Sequence, residues 1–169
     1  ADDPLGIQGA WYAYGDQITC VAPEGNPCTA DGCCLPWTTI VDSTYESWGC
    51  GLGLELYSTG GDAPVRRAYS GAARGFTITI TGSSRPNPIR VAYTQRFDLE
   101  GVVSPFIELD GPGTYSVLFS DVICPSWALE KGCDPDPAAT TRPYDLQVQI
   151  PGGDAAGAGQ ICIVSLSPF

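Results

Sequence analysis

Large apolar residues alternate with small polar ones along several short stretches of this chain. In residues 74–82 (RGFTITITG), three large apolar residues alternate with three threonines, and residues 113–120 (GTYSVLFS) have a similar alternation. A period of two residues is that of a β-strand and not of a helix. The pattern predicts half-buried antiparallel strands with one face toward a core and the other toward solvent.

Nine stretches of this kind predict strands, and no convincing amphipathic helix lies between them. The chain contains 21 glycines and 15 prolines without a short repeat, so these residues mark turns. Many short strands separated by Gly and Pro turns predict an antiparallel sandwich or barrel. The first strand places Trp11 inward, toward the core. The predicted strands are residues 9–14, 37–41, 51–58, 74–82, 89–95, 104–109, 114–122, 144–150 and 160–166.

A length of 169 residues suits one domain, which we place at residues 9–169 after an N-terminal tail at residues 1–8. Residues 20–34 form a cysteine-rich insertion with little periodicity. The first residue is Ala and no charged, apolar leader follows it, so we expect a mature chain whose signal peptide has been removed. No apolar run approaches the roughly 20 residues of a membrane helix. These features predict a secreted protein with no membrane insertion.

The chain has eight cysteines and no histidine. An even number of cysteines without histidine favours disulfides over zinc, because structural zinc sites use closely spaced Cys pairs that His often completes. We therefore predict disulfides and an oxidising compartment. The cysteines are Cys20, Cys28, Cys33, Cys34, Cys50, Cys124, Cys133 and Cys162.

The spacing of the cysteines suggests part of the pairing. Cys124 and Cys133 are alone in their region, so a local bridge between them is the simplest arrangement. The adjacent Cys33 and Cys34 cannot bridge each other without strain, so each should reach elsewhere. Partners for these two are expected at two later strand positions, while a small loop closes between two earlier cysteines. Those expected partners are Cys50 and Cys162, and the small loop would join Cys20 to Cys28.

Charge and composition exclude several functions. With 19 acidic and 8 basic residues, the net charge of −11 repels nucleic acid and anionic lipid. The absence of histidine removes Ser-His and Cys-His nucleophile pairs. A glycosidase-type carboxylate pair could be drawn from several acids, but their positions in strands and turns are those of solvated charges. We therefore predict that the protein is not an enzyme. The acids considered are Glu46, Glu55, Asp98, Glu100, Glu108 and Asp110.

Three tryptophans and one tyrosine lie in or beside predicted loops. Sugar rings present C–H faces that stack on flat aromatic side chains, while nearby Asp, Asn and Arg groups bind the hydroxyls. For each aromatic residue singly, capping of the sandwich is at least as good an interpretation. The glycan-stacking candidates are Trp37, Tyr45, Trp48 and Trp127.

Several segments together resemble the galactose-binding-like jelly rolls of secreted bacterial carbohydrate-binding modules. These segments are GAWYAYGD, YSGAARGFTITITG, IRVAYT, GTYSVLFSDVICPSW, DLQVQI and QICIVSLSPF, and they cover most of the chain outside the cysteine-rich insertion. The resemblance implies a disulfide-stabilised, all-β antiparallel jelly-roll sandwich with little or no helix. It also implies binding of an extracellular or cell-surface glycan.

The same resemblance implies a structural calcium held by acids near the first strand and in the last strand. Asp16 matches the first acid, but the last strand reads Ile163-Val164-Ser165 and has none. Calcium takes several oxygen ligands, so one carboxylate is a poor basis for a site. We expect no other cofactor.

Two functions are therefore carried forward. In the first, the protein is a non-catalytic glycan-binding module. In the second, it is a structural subunit of an extracellular filament, sheath or surface layer that binds copies of itself, with residues 1–8 docking on a neighbour. Trp127 could stack on a sugar, cap the core or face the next subunit.

Overall fold

The strands were assigned in a computed structural model, which describes residues 7, 9–21, 24–41, 49–59, 65–95, 103–136, 142–152 and 155–169. Within these residues there are ten strands and one single-turn helix, α1 (Ser126–Leu129). The strands are β1 (Trp11–Gly15), β2 (Cys28–Thr29), β3 (Gly32–Thr39), β4 (Cys50–Glu55), β5 (Gly75–Gly82), β6 (Ile89–Thr94), β7 (Phe106–Leu109), β8 (Gly113–Leu118), β9 (Asp145–Ile150) and β10 (Gly157–Pro168).

The strands form two antiparallel sheets of five strands each. Sheet I has the order β1-β4-β9-β6-β7, and sheet II has the order β2-β3-β10-β5-β8. From β3 onward, eight strands divide between the sheets in the order of two interleaved Greek keys, which is the jelly-roll arrangement. The prediction of an all-β, disulfide-stabilised sandwich with little helix is confirmed.

The alternation seen in the sequence produces the core between the sheets. Phe76, Ile78 and Ile80 of β5 face inward and are at most 1% exposed, while the threonines between them face solvent. On sheet I, β9 contributes its apolar residues to the same core, from Leu146 to Ile150. Full burial of such a side chain contributes about 1.5–3 kcal/mol, so the inward residues of these strands help to hold the two layers together.

An aromatic cluster joins the two sheets near the end of β8. The ring centroids of Tyr93 and Phe119 are 4.8 Å apart in an edge-to-face arrangement, and Phe76 packs beside both. The Tyr93 hydroxyl donates a 2.7 Å hydrogen bond to the carbonyl oxygen of Val117. The buried polar atom of this aromatic side chain is therefore satisfied across the sandwich.

All eight cysteines are paired, and the predicted Cys124–Cys133 bridge is confirmed. Cys34 pairs with Cys162, one of the arrangements that the sequence left open, because the two residues lie opposite each other on β3 and β10.

The predicted Cys20–Cys28 bridge is wrong, and so is a long-range partner for Cys33. Cys28 and Cys33 lie opposite each other across the β2–β3 hairpin and form a bridge there. Cys20 instead pairs with Cys50, at the start of β4. Sequence spacing could not show which strand lies beside the first loop.

The cysteine-rich insertion is more regular than the sequence suggested. Strand β3 begins at Gly32, five residues before the predicted strand, and its alternate residues Leu35, Trp37 and Thr39 are buried. Cysteine and proline at the intervening positions hid this period. Of the predicted tail at residues 1–8, only Ile7 is described, and it packs against the core. The predicted docking of that tail lies outside the described residues.

Candidate functional site

The structure separates the four predicted stacking residues. Trp37 is 2% exposed, and its indole nitrogen donates a 2.8 Å hydrogen bond to the carbonyl oxygen of Ser83. The prediction of sugar stacking at Trp37 is therefore wrong, because a core residue has no free aromatic face. Tyr45 and Trp48 lie outside the described residues. Trp127 is 49% exposed and lies in α1.

The loop that carries Trp127 is fixed at several points. The Cys124–Cys133 disulfide closes it, and the side-chain amide of Gln95 exchanges two hydrogen bonds with the backbone of Asp134, at 2.8 and 3.1 Å. The backbones of Ile123 and Phe106 also exchange two hydrogen bonds, at 3.0 and 3.2 Å. The loop is thereby attached along the edge of sheet I.

The outer face of sheet I carries an ordered set of polar and aromatic side chains. They are the alternate residues of the strands whose other residues form the core. Across the sheet, the registers align them in three rows, and adjacent strands lie about 4.8 Å apart, so a five-strand row spans about 19 Å. The rows are Glu108–Arg90–Gln149–Gly51–Tyr14, Phe106–Ala92–Gln147–Gly53–Tyr12 and Thr94–Asp145–Glu55.

Two tyrosine rings of β1 lie across two glycines of β4. A β-carbon added at Gly51 would come within 2.6 Å of the Tyr14 ring, and one added at Gly53 would collide with the Tyr12 ring. The ring centroids of Tyr12 and Tyr14 are 5.9 Å apart. Glycine allows the rings to lie there, because a β-carbon at either position would displace the ring above it.

The hydroxyls of these tyrosines extend over β4 to side chains of β9. Tyr12 donates a 2.8 Å hydrogen bond to Oδ2 of Asp145, and Tyr14 donates a 3.2 Å hydrogen bond to Oε1 of Gln147. Gln147 in turn donates from Nε2 to the Tyr12 hydroxyl at 3.4 Å. The rings are therefore held in place by hydrogen bonds at their far ends.

Burial shifts the acid–base properties of this network. Burial raises the pKa of Tyr12, and the negative charge of Asp145 raises it further. Burial likewise raises the pKa of Tyr14 well above its usual value. It also raises the pKa of Asp145, an effect opposed by the Tyr12 hydrogen bond and by the positive charge of Arg66. Both phenols consequently remain neutral donors at ordinary pH.

Two ion pairs border the tyrosine and glutamine residues. Glu55, 8% exposed, pairs with Arg66 beside Asp145. On the opposite side, the Nε of Arg90 donates a 2.9 Å hydrogen bond to Glu108. Each of these two arginines is therefore neutralised by a neighbouring acid.

An aromatic platform forms the β7 side of the same face. The guanidinium carbon of Arg90 lies 4.6 Å from the centroid of the Phe106 ring. The centroids of Phe106 and Trp127 are 6.2 Å apart. Trp127, the one predicted stacking residue that the structure describes as exposed, thus extends the outer face of sheet I.

The carboxylate of Asp16 accepts hydrogen bonds from its own loop and from Gly49. Its Oδ1 accepts backbone hydrogen bonds from Ile18, Thr19 and Cys20 at 2.7–2.9 Å, while Oδ2 accepts from the Thr19 hydroxyl at 2.6 Å and from the Gly49 N–H at 2.7 Å. Burial alone would raise the pKa of Asp16, but these hydrogen bonds hold it below its usual value.

The donors around Asp16 do not fit a calcium site. Calcium binds oxygen atoms, whereas the carboxylate of Asp16 is surrounded by N–H and O–H groups. No cluster of three acidic, cysteine or histidine side chains suited to a metal occurs among the described residues. The Asp16 carboxylate instead ties the first loop to the residue that precedes β4.

The sequence contains a signal for the outer face of sheet I in the alternate residues of three strands. Between the core positions, the segment WYAYG has two tyrosines. The segment GLGLE has two glycines and a glutamate there, and the segment DLQVQI has an aspartate and two glutamines. Register across strands, which is not visible in the sequence, brings these residues together.

The chain matches no protein-family model, no curated protein and no solved structure. In the part of the chain that the structure describes, no helix has the length and apolar character needed to cross a membrane.

Proposed function

We propose that the protein is a secreted, non-catalytic module that binds a neutral extracellular glycan on the outer face of sheet I. The observation that carries this proposal is the pair of tyrosine rings fixed over Gly51 and Gly53 by hydroxyl contacts with β9. A sugar ring stacks best on an aromatic face that is already fixed, because less side-chain entropy is lost on binding.

Polar groups next to the rings suit the hydroxyls of a sugar. Gln147 and Gln149 lie between the tyrosines on one side and Arg90 and Phe106 on the other. An amide side chain donates and accepts hydrogen bonds, as a hydroxyl does. A row of about 19 Å has room for several linked sugar rings, which favours a polysaccharide over a monosaccharide.

Charge supports a neutral ligand over an acidic one. The chain has a net charge of −11, and Arg66 and Arg90 each pair with a glutamate on this face. A polyuronate would therefore meet long-range repulsion that these two paired arginines do not offset. The four disulfides agree with an oxidising, extracellular setting.

Affinity electrophoresis against soluble polysaccharides tests the proposal. The panel contains neutral β-glucan, xylan and galactomannan, with pectin as the acidic comparison. We expect retardation by at least one neutral polysaccharide, and loss of it in the double variant Gln147→Ala/Gln149→Ala. The matched control is Thr77→Ala/Thr79→Ala on the outer face of sheet II, which should bind as the unmodified protein does. Equal retardation of both double variants would place binding elsewhere.

A structural subunit of an extracellular filament or layer is the second candidate function. It is supported by the outer face of sheet II, where β5 and β8 present only uncharged side chains, although the chain is strongly acidic. Thr77 bonds to Ser116 at 2.9 Å and Thr79 bonds to Thr114 at 3.0 Å on this face. Negative-stain microscopy of concentrated protein tests this candidate, and particles of subunit size alone would contradict it.

A further inference from the structure

Strand β8 is an edge strand of sheet II, hydrogen-bonded to β5 alone. Among the other edge strands, β1 has five residues, one fewer than β8, and the remaining two are short or covered. Strand β2 has two residues, and the outer edge of β7 is covered where Phe106 exchanges two backbone hydrogen bonds with Ile123. Among the described residues, no strand or loop covers β8 in this way. A six-residue edge without cover is a surface on which another strand can pair.

The hydrogen-bond alternation of β8 shows which of its backbone groups face outward. The N–H of Phe119 donates to the carbonyl oxygen of Arg74 at 2.8 Å, so Val117 and Tyr115, two and four residues earlier, also direct their backbone groups toward β5. The backbone groups of Thr114, Ser116 and Leu118 therefore point to the outer edge. The close side-chain hydroxyl pairs of Thr114 and Ser116 with β5 agree, because side chains approach most closely at non-hydrogen-bonded pairs.

Both ends of this outer edge are closed. The Leu118 N–H donates to Oδ2 of Asp121 at 2.9 Å, and its carbonyl oxygen accepts from the Asp121 N–H at 3.1 Å. At the other end, Pro112 has no N–H to donate. The open set consists of the N–H and C=O groups of Thr114 and Ser116, which form no hydrogen bond with any described residue.

We propose that β8 pairs with β8 of a second copy of this chain, antiparallel and about a twofold axis at Tyr115. In that register Thr114 of each copy lies opposite Ser116 of the other, and the open groups form four hydrogen bonds. In the next pair outward, Pro112 lies opposite Leu118. Pro112 has no N–H, and the Leu118 N–H already donates to Asp121. The open groups are thus self-complementary, as a twofold interface requires.

The local charge permits this approach. Strand β8 contains no charged residue, although each copy carries a net charge of −11. In the sequence Asp110 precedes the strand, and the Asp121 carboxylate lies at the Leu118 end of the edge, outside the Thr114 and Ser116 pairs. The dimer would present the outer face of sheet I of each copy, so individually weak glycan contacts would act together. The pairing itself does not depend on glycan binding.

Charge placed at the two facing positions tests the register. In Thr114→Lys/Ser116→Lys, lysines lie opposite lysines, whereas in Thr114→Glu/Ser116→Lys each lysine lies opposite a glutamate. Sedimentation equilibrium of the full chain should show a concentration-dependent dimer. We expect the dissociation constant of the dimer to rise at least about tenfold in the first variant and to return toward the original value in the second. Circular dichroism and thermal melting confirm that both variants are folded.

The control is Ser165→Lys/Ser167→Lys, which adds the same charge to exposed positions of β10, two strands from the edge. It should leave dimerisation unchanged. A chain that stays monomeric at several hundred micromolar overturns the proposal, and so does equal dimerisation of the two β8 variants. If deletion of residues 1–8 abolishes the dimer while the β8 variants do not, the proposal is also overturned, in favour of a docked tail.

Discussion

The Tyr12 hydroxyl in β1 donates a 2.8 Å hydrogen bond to Asp145 in β9, passing over the intervening strand β4. This contact is possible because Gly53 lies directly beneath the ring. It converts a flexible aromatic side chain at the sheet edge into a fixed surface. Glycan binding on this face, as proposed, depends on the fixed position of the Tyr12 ring.

Removal of the Tyr12 hydroxyl should destabilise the protein. In Tyr12→Phe, the carboxylate of Asp145, which is 3% exposed, loses its phenol donor. Loss of a hydrogen-bond donor from a buried group costs about 1–3 kcal/mol. Urea unfolding should show this loss. Tyr14→Phe is the matched comparison, because it removes a 3.2 Å hydrogen bond to a neutral amide, and it should cost less. A larger loss of stability in Tyr14→Phe than in Tyr12→Phe would show that Asp145 does not depend on the Tyr12 hydroxyl.

A side chain at Gly53 should abolish glycan binding while the protein stays folded. In Gly53→Val, the new methyl groups occupy the space of the Tyr12 ring and push it off the sheet. Valine suits a strand backbone, so the sandwich should still form. We expect polysaccharide affinity to fall at least about tenfold, or about 1.4 kcal/mol. Retention of full affinity by the folded variant would show that the position of this ring does not matter.

Asp16 should stabilise the fold in a pH-dependent way. Its pKa is lowered in the folded state, so its contribution is fully present above the unfolded pKa of about 3.9 and is lost as pH falls through the folded pKa. Asp16→Asn should therefore lose about 1.5–3 kcal/mol at pH 7, the range for hydrogen bonds to a charged group. The difference from the unmodified protein should shrink below about pH 4.

The control for Asp16 is Asp31→Asn, an exposed acid in the β2–β3 turn. The free energy of unfolding of this variant at pH 7 should stay within about 0.5 kcal/mol of that of the unmodified protein. A deficit of Asp16→Asn that is the same at pH 3 and pH 7 would contradict the assignment of charge-dependent hydrogen bonds to Asp16.

The Cys124–Cys133 bridge should control the mobility of the Trp127 loop. Replacement of both cysteines by serine removes one of the attachments of this loop, so amide hydrogen exchange should accelerate across residues 124–133. Replacement of Cys28 and Cys33, which bridge the β2–β3 hairpin, serves as the comparison and should leave that loop unchanged. Exchange that is equally slow in both variants would show that the hydrogen bonds of Gln95 and Ile123 hold the loop without the disulfide.

Local pattern predicted the strands well because burial of one face leaves a two-residue period in the sequence. That period is clear in β5 and β9, where every second residue is large and apolar. It was obscured in β3, where Cys34 and Pro36 occupy the outward positions. The Cys124–Cys133 bridge was predictable because the partners are close in the chain.

The candidate site was harder to predict because it depends on which strands are neighbours. Tyr12 and Asp145 are 133 residues apart in the sequence, and only the order β1-β4-β9 brings them into contact. Aromatic character predicted the tryptophans as stacking groups, yet Trp37 belongs to the core. The outward residues of the strands in sheet I, read together, would have been the better guide.

The most direct test of the account is to map where a glycan binds. Backbone and side-chain amide resonances of the labelled protein would be followed by NMR during titration with oligosaccharides of the neutral polysaccharide that retards it most. We predict the largest shifts at the side-chain amides of Gln147 and Gln149 and at the backbone of Tyr12 and Tyr14, with the threonines of β5 unaffected. Shifts confined to sheet II, or no shifts at saturating concentrations of every neutral oligosaccharide tested, would contradict the proposed glycan-binding face.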